Sequence, residues 1–485
     1  MTGSYHSKRY SRYLLILLFI SGVLCCSGSK LSDKAISEKN SRQVSWKTAE
    51  AILDSINPPV FPDRTYSVVD FGAVGDGLSD CTDAINTAIT ACHEDSGGTV
   101  IVPKGRFLTG AIHLKSNVNL HIEEGAVLVF TGDRSKYLPL VHTRFEGMEC
   151  MNYSPFIYAY KQKNIAITGK GKIDGQGQLW WSWKGPWGGQ LDHKWEEGMP
   201  NQLDANRKLQ KMVEDNVPYH ERIFGDGYNL RPNFIQPFMC EQVLIEGITI
   251  VNSPMWIVHP VLCNNVIVQD LTIESLGPNN DGCDPECSRN VLIRNCYFNT
   301  GDDCIAIKSG RNNDGRRINI PSENIIIQKC IMKEGHGGVV IGSEISGNVR
   351  NVFAEDCIMD SPNLDRALRI KSNSKRGGIV ENIFMRNIEV KQVGEAAILV
   401  DLFYSRETGP NIPVVRNISV DKMTCQKSQY AILIRAYKEQ PVTGLSITNS
   451  IFHNVAKGVR IENAGEIHFK NSFIYDVNGS PVKID

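Results

Sequence analysis

From residue 164 onward a short phrase recurs along the chain: an asparagine, then three mostly apolar residues. It reads Asn164-Ile-Ala-Ile, Asn265-Val-Ile-Val, Asn290-Val-Leu-Ile, Asn324-Ile-Ile-Ile, Asn351-Val-Phe-Ala, Asn382-Ile-Phe-Met and Asn417-Ile-Ser-Val. From Asn265 the starts lie 25, 34, 27, 31 and 35 residues apart. A second short apolar run follows, as at 271–273 and 296–298. Repeats of this length built only from short strands predict a solenoid. A β-sandwich would not repeat one phrase seven times. Each leading asparagine is expected at a turn, where its side chain bonds nearby backbone and tolerates a left-handed conformation. The pattern predicts an all-β fold, a right-handed parallel β-helix.

Ahead of the repeat, residues 82–92 carry apolar side chains at 84, 85, 88, 89 and 92. That spacing predicts a short helix with Thr82 as N-cap and Asp83 in its first turn, capping the N-terminal end of the solenoid. Strands are expected at 99–102, 111–114, 118–122 and 127–130, with the folded region running from 66 to 485. Residues 131–240 read as an insertion that holds Trp180, Trp181, Trp183, Trp187 and Trp195. Such clusters either stack on sugar rings or anchor long loops, and the sequence leaves both open.

Composition narrows the function. Of 485 residues, 52 are basic and 53 acidic, a net charge of −1, so nucleic-acid binding, which needs a basic excess, is not indicated. Lys8, Arg9 and Arg12 precede the apolar run 14–24, which reads as a signal peptide over 1–26. The run is too short to span a membrane. Export to the periplasm or beyond is expected, and Cys25 or Cys26 could carry a lipid anchor. Residues 27–65 read as a leader. Cys296, Cys330 and Cys357 recur at equivalent points of the repeat, which predicts a buried ladder rather than disulfides.

The candidate chemistry follows the same period. Counted from the leading asparagines, Asp281 lies 16 after Asn265, Asp303 13 after Asn290, His336 12 after Asn324 and Arg369 18 after Asn351. Successive coils stack about 4.8 Å apart, so four coils can project these groups onto one face. Asp302 and Asp303 would face opposite ways on a regular strand, and Gly301 permits a bend that brings both to the groove. Crowded carboxylates hold protons unequally, which acid–base cleavage of a glycosidic bond needs. Arg369 and Lys371 share a strand face and suit a substrate carboxylate. Taken singly, the Asp pair could be a turn or calcium site, the histidine a turn residue, and Arg-x-Lys a solvated face.

Four clusters, Asn279-Asn280-Asp281, Gly301-Asp302-Asp303-Cys304, Gly335-His336-Gly337 and Arg369-Ile370-Lys371, resemble the signature of glycoside hydrolase family 28, the polygalacturonases and related pectinases. The resemblance covers roughly 66–470. Asn280 departs from the Thr or Ser of many members. The resemblance implies a right-handed parallel β-helix and cleavage of α-1,4-linked galacturonic acid in pectin with inversion, without metal or cofactor. It implies Asp302 as general acid, Asp281 and Asp303 on the attacking water, and His336 in support. Arg369 and Lys371 would hold the galacturonate carboxylate, with Asn279 beside them. His259, 22 residues before Asp281, could line the sugar pocket. Asp284 could join the site or only cap a turn. Because the insertion could block one end of the cleft, we expect a monomeric exo-enzyme trimming oligogalacturonides from the non-reducing end. The alternatives are a rhamnogalacturonan or xylogalacturonan hydrolase, a calcium-dependent pectate-lyase-like enzyme, and a non-catalytic carbohydrate-binding solenoid.

Overall fold

The computed structural model describes residues 44–188 and 195–483. The expected signal peptide with Cys25 and Cys26, and positions 27–43 of the expected leader, lie outside the described residues. Strands pair in parallel from coil to coil, so each coil adds one rung to each face of the solenoid. The parallel crossovers are right-handed. The apolar phrases supply the core: Ile165, Val243, Val266, Val291, Ile325, Val352, Ile383 and Ile418 stand in register as one buried column.

The seven leading asparagines are all left-handed, with φ between 54° and 61°. For most residues that conformation costs roughly 1 kcal/mol or more. Here the side chains also bond each other. Asn351 Nδ2 donates to Asn324 Oδ1 at 3.0 Å and Asn382 Nδ2 to Asn351 Oδ1 at 2.9 Å, and Asn324 and Asn417 continue the ladder.

The middle residue of each phrase points outward, and its apolar character has a separate cause. Leu244, Ile267, Leu292, Ile326, Phe353 and Phe384 form an external apolar strip, covered by Ala49, Ile52 and Ile56. Ala49 and Ile52 belong to a helix, α1 (Trp46–Ser55), and Ile56 is its C-cap. The chain after α1 crosses the asparagine ladder: Asn57 exchanges two hydrogen bonds with the Asn265 side chain, and Val60 two with that of Asn164. The described part of the expected leader is therefore packed structure. Its polar composition hid three apolar residues at helical spacing.

The capping helix is α2 (Thr82–Glu94), burying Ile85, Ala88, Ile89 and Cys92. Thr82 is its first residue rather than its N-cap, and Asp80 accepts from the Thr82 N–H at 2.9 Å. The expected insertion is narrower than 131–240, because Ile157–Tyr160, Lys163–Gly169, Lys172–Asp174 and Ile235–Phe238 continue the coils. What departs is a hairpin, Val141–Phe145 with Met148–Asn152, and the segment between Asp174 and Ile235 that holds α3 (Leu203–Glu214). Trp180, Trp181 and Trp183 are buried, and Trp181 Nε1 donates to Ser253 O at 2.7 Å, so these three anchor the loop. Trp195 donates to Met199 O, and the Trp187 side chain lies outside the described residues. The twelve described cysteines are buried free thiols, Cys296, Cys330 and Cys357 among them.

Candidate active site

Cys283 and Ile305 pair on successive coils, and Asp281 and Asp303 each stand two residues before them. The two aspartates therefore occupy equivalent places one rung apart. His336 follows on the next coil, its N–H donating to Asp302 O at 3.1 Å. Residues 301–304 are not strand, so alternation does not separate Asp302 from Asp303. Carboxylate oxygens of Asp281, Asp302 and Asp303 lie within 4.8 Å of one another. Gly301 serves close packing: a Cβ there would stand 2.2 Å from Gly277 O. Asn280 shapes the same turn, accepting from Ser275 Oγ at 2.6 Å and Gly277 N at 2.9 Å.

Each acid has its own cation. Arg369 Nη1 donates to Asp303 Oδ1 at 3.0 Å and Lys371 Nζ to Oδ2 at 2.5 Å. His336 Nδ1 lies 3.0 Å from Asp302 Oδ1. Lys308 Nζ donates to Asp281 Oδ2 at 3.2 Å. Burial works to raise all three acids, and the partners decide the outcome. At Asp303 the charges of Lys371 and Arg369 outweigh burial and hold the carboxyl below its ordinary range. At Asp302 the hydrogen bond and charge of His336 do so. At Asp281 burial wins over Lys308, with help from the negative charges of Asp302 and Asp303, and the carboxyl is raised to about 7. His336 is raised in turn by its bond to Asp302.

Asp281, Asp302 and Lys371 open into a cavity of about 220 Å³. Its walls come from segments outside the regular coils: Glu146 from the hairpin, Lys184 from the inserted segment, and Tyr404 and Ser405 from a later loop. Lys184, Arg311 and Arg376 add positive charge to that wall, partly matched by Glu146 and Glu344. On the far side of Asp302, His336 lines a second cavity of about 410 Å³ with Thr300, Glu334 and Asp365. The Asp302–His336 contact stands between the two.

Four expected site residues line neither cavity: Asp303 and Arg369, which bond each other, and His259 and Asp284. His259 is buried, held between Glu286 Oε2 at 2.7 Å and Gln236 Nε2 at 3.0 Å. The hairpin lies over it, with Arg144 donating to Glu286 at 2.7 Å. Asp284 is also buried, 3.3 Å from Lys308 Nζ, behind Asp281. Asn279 does line the cavity and accepts from Arg231 Nη2 at 2.7 Å. Sequence reasoning missed Lys308, Glu344, Arg376 and Arg231. Lys308 could have been found: it pairs with Glu286, one coil from Asp281, in the same alternating strand as Ile305 and Ile307. Arg231 lies in irregular chain, where no periodicity marks it.

The family model described as glycosyl hydrolases family 28 matches residues 222–431, and one described as rhamnogalacturonase A/epimerase, pectate lyase-like matches 65–124. Among solved structures, a hyperthermoactive exopolygalacturonase from Thermotoga maritima is similar with a TM-score of 0.86 and 44% identity, covering 91% of this chain and 97% of that one. A probable polygalacturonase from Vitis vinifera is 29% identical over 428 residues, 84% of this chain and 79% of the relative. An exo-poly-alpha-D-galacturonosidase from Dickeya chrysanthemi is 28% identical over 71% of this chain and 58% of its own length. With the β-helix, the four ordered motifs and a near-complete match to the Thermotoga enzyme, this chain belongs to family 28 of the glycosyl hydrolases and is a glycosidase.

Proposed function

We propose that the protein is an exported, monomeric exo-polygalacturonase, hydrolysing α-1,4-linked galacturonic acid in pectic polysaccharide or its oligomers from the non-reducing end. The observation that carries the exo reading is the small cavity at Asp281 and Asp302, about 220 Å³, walled by Glu146, Lys184, Tyr404 and Ser405. It has room for about one sugar, and the wider cavity beyond His336 can receive the remaining chain. The similarity to the Thermotoga exopolygalacturonase supports the same reading.

In this mechanism the proton for the leaving oxygen resides on the Asp302–His336 pair and is delivered by Asp302. The pair titrates as a unit, because the two groups are directly bonded. Asp281 has the highest proton affinity of the three acids and accepts the proton of the attacking water. Asp303, held ionised by two cations, keeps a fixed negative charge beside Asp281 and Asp302. Neither Asp303 oxygen is free to act as a nucleophile, which favours direct attack by water with inversion. The spacing of the acids is tighter than the 6.5–9.5 Å common in inverting enzymes, so stereochemistry rests on the clamping and not on the distance. Lys371, Arg376, Arg311 and Lys184 receive the terminal carboxylate, while Arg369 stays on Asp303.

A pentagalacturonate labelled at its reducing end tests the reading. We expect labelled tetramer as the first labelled product. Labelled dimer or trimer at the earliest time contradicts it.

A further inference from the structure

Lys308 lies at the end of the strand Ile305–Ile307, and its side chain is 2% exposed. Its ammonium carries three hydrogens and faces three carboxylates: Asp281 at 3.2 Å, Asp284 at 3.3 Å and Glu344 at 3.6 Å. The Trp256 ring closes another side, 4.2 Å from Nζ to the ring centre. Burying an ammonium costs several kcal/mol unless its partners are charged and well placed, so three acids around one buried lysine form a built unit rather than a solvated contact.

The three acids do not compete equally. Glu344 has a second cation, Arg376, at 3.6 Å. Burial, followed by the charge of Asp281, raises Asp284 well above the ordinary carboxylate range, so Asp284 competes less for the lysine's charge. What remains of Lys308 is directed at Asp281. The other charged groups facing Asp281 are Asp302, Asp303 and Lys371, with Arg231 and Lys184 further out.

We propose that Lys308 is a positioning residue for hydrolysis: from the cavity lining beside Asp281 it favours the ionised form of that carboxyl and aims it at the attacking water. The inference rests on the role proposed above for Asp281. A base buried among two other carboxylates would keep its proton at the pH of turnover without an adjacent cation. Lys308 supplies that cation from a side chain only 2% exposed. Asp284 and Glu344 fix the lysine in place, which explains why Asp284 is buried beside the site without lining it.

The test is the acid-side limb of the kcat–pH profile. Removing an opposite charge at this range raises a carboxyl by about 1–3 pH units. Lys308→Met therefore moves the limb to higher pH by that amount, with KM for trigalacturonate little changed. Lys308→Arg keeps the charge and leaves the limb in place, at reduced kcat. Glu344→Gln removes a competing anion and moves the limb the other way, to lower pH, which general damage to the fold does not do. If Lys308→Met does not fold, as judged by its thermal melt, the Arg and Gln variants carry the test. A raised KM with an unmoved limb assigns Lys308 to substrate binding and overturns the proposal. An unmoved limb in Glu344→Gln also overturns it. Wild-type protein that releases no galacturonate at any pH contradicts the proposed function instead.

Discussion

His336 Nδ1 and Asp302 Oδ1 lie 3.0 Å apart on neighbouring coils, and the pair stands between the smaller cavity and the wider one. A general acid must carry a proton at working pH, yet His336, followed by Lys371 and Arg369, outweighs burial and holds the Asp302 carboxyl low. The imidazole resolves this by storing the proton one hydrogen bond away.

That arrangement predicts a bell-shaped pH profile. Asp281 must be ionised, and burial raises it above the ordinary carboxylate range, so activity climbs as pH rises through the Asp281 transition. The donor pair must be protonated, and its bond to Asp302 raises His336, so activity falls as pH rises through the His336 transition. His336→Ala leaves a lone carboxylic acid as donor, which loses its proton at lower pH than an imidazolium does. The alkaline limb of kcat should move to lower pH, with kcat at neutral pH reduced about 100-fold. An unchanged alkaline limb in the variant would show that His336 does not store the proton.

Asp302→Asn keeps the shape of the side chain and removes its proton transfer. We expect kcat to fall by about 10²–10⁴, with calorimetric binding of trigalacturonate within a few-fold of the parent. Weaker binding with no catalytic loss, in a protein that binds sugar without cleaving it, would favour a carbohydrate-binding solenoid.

Each acid is already matched by an internal cation: Lys308, His336, or Arg369 with Lys371. A divalent ion at the three aspartates would have to displace them. Turnover should therefore survive a chelator, and no ultraviolet-absorbing unsaturated product should form. Loss of activity on chelation, restored by calcium, would revive the lyase reading.

The asparagine ladder gives a stability prediction. Asn351→Ala deletes two side-chain hydrogen bonds, at 3.0 and 2.9 Å, and leaves alanine at a φ of 57°. At about 1 kcal/mol for each bond and about 1 for the left-handed backbone, the loss is roughly 3 kcal/mol. Urea denaturation should show it, while Asn351→Gly, free of the backbone strain, should lose less. Equal losses in the two would mean that the ladder, not the conformation, sets the requirement for asparagine.

A solenoid turns sequence period into spatial neighbourhood, which is why so much was legible before the structure. The Asn-led phrase revealed the coils, and counting from it brought Asp281, Asp303 and His336 together correctly. The count failed where chain outside the repeat intervenes. His259 and Asp284 hold outward places on the same sheet, but the hairpin and Lys308 cover them, and nothing local in their sequence announces a cover. The cavity walls at Glu146, Lys184 and Tyr404 come from irregular segments whose positions depend on tertiary packing. Likewise α1 was hidden because its few apolar residues matter only against a strip made by many separate coils.

The central claim is that one sugar fits beyond the aspartates and the rest of the chain extends past His336. Its most direct test is chromatography of the first products released from long polygalacturonan, sampled when under about a tenth of the bonds are cut. The small cavity, with room for about one sugar, predicts galacturonic acid monomer as the only small product, with the polymer shortened slowly. A ladder of oligomers at that stage would contradict it.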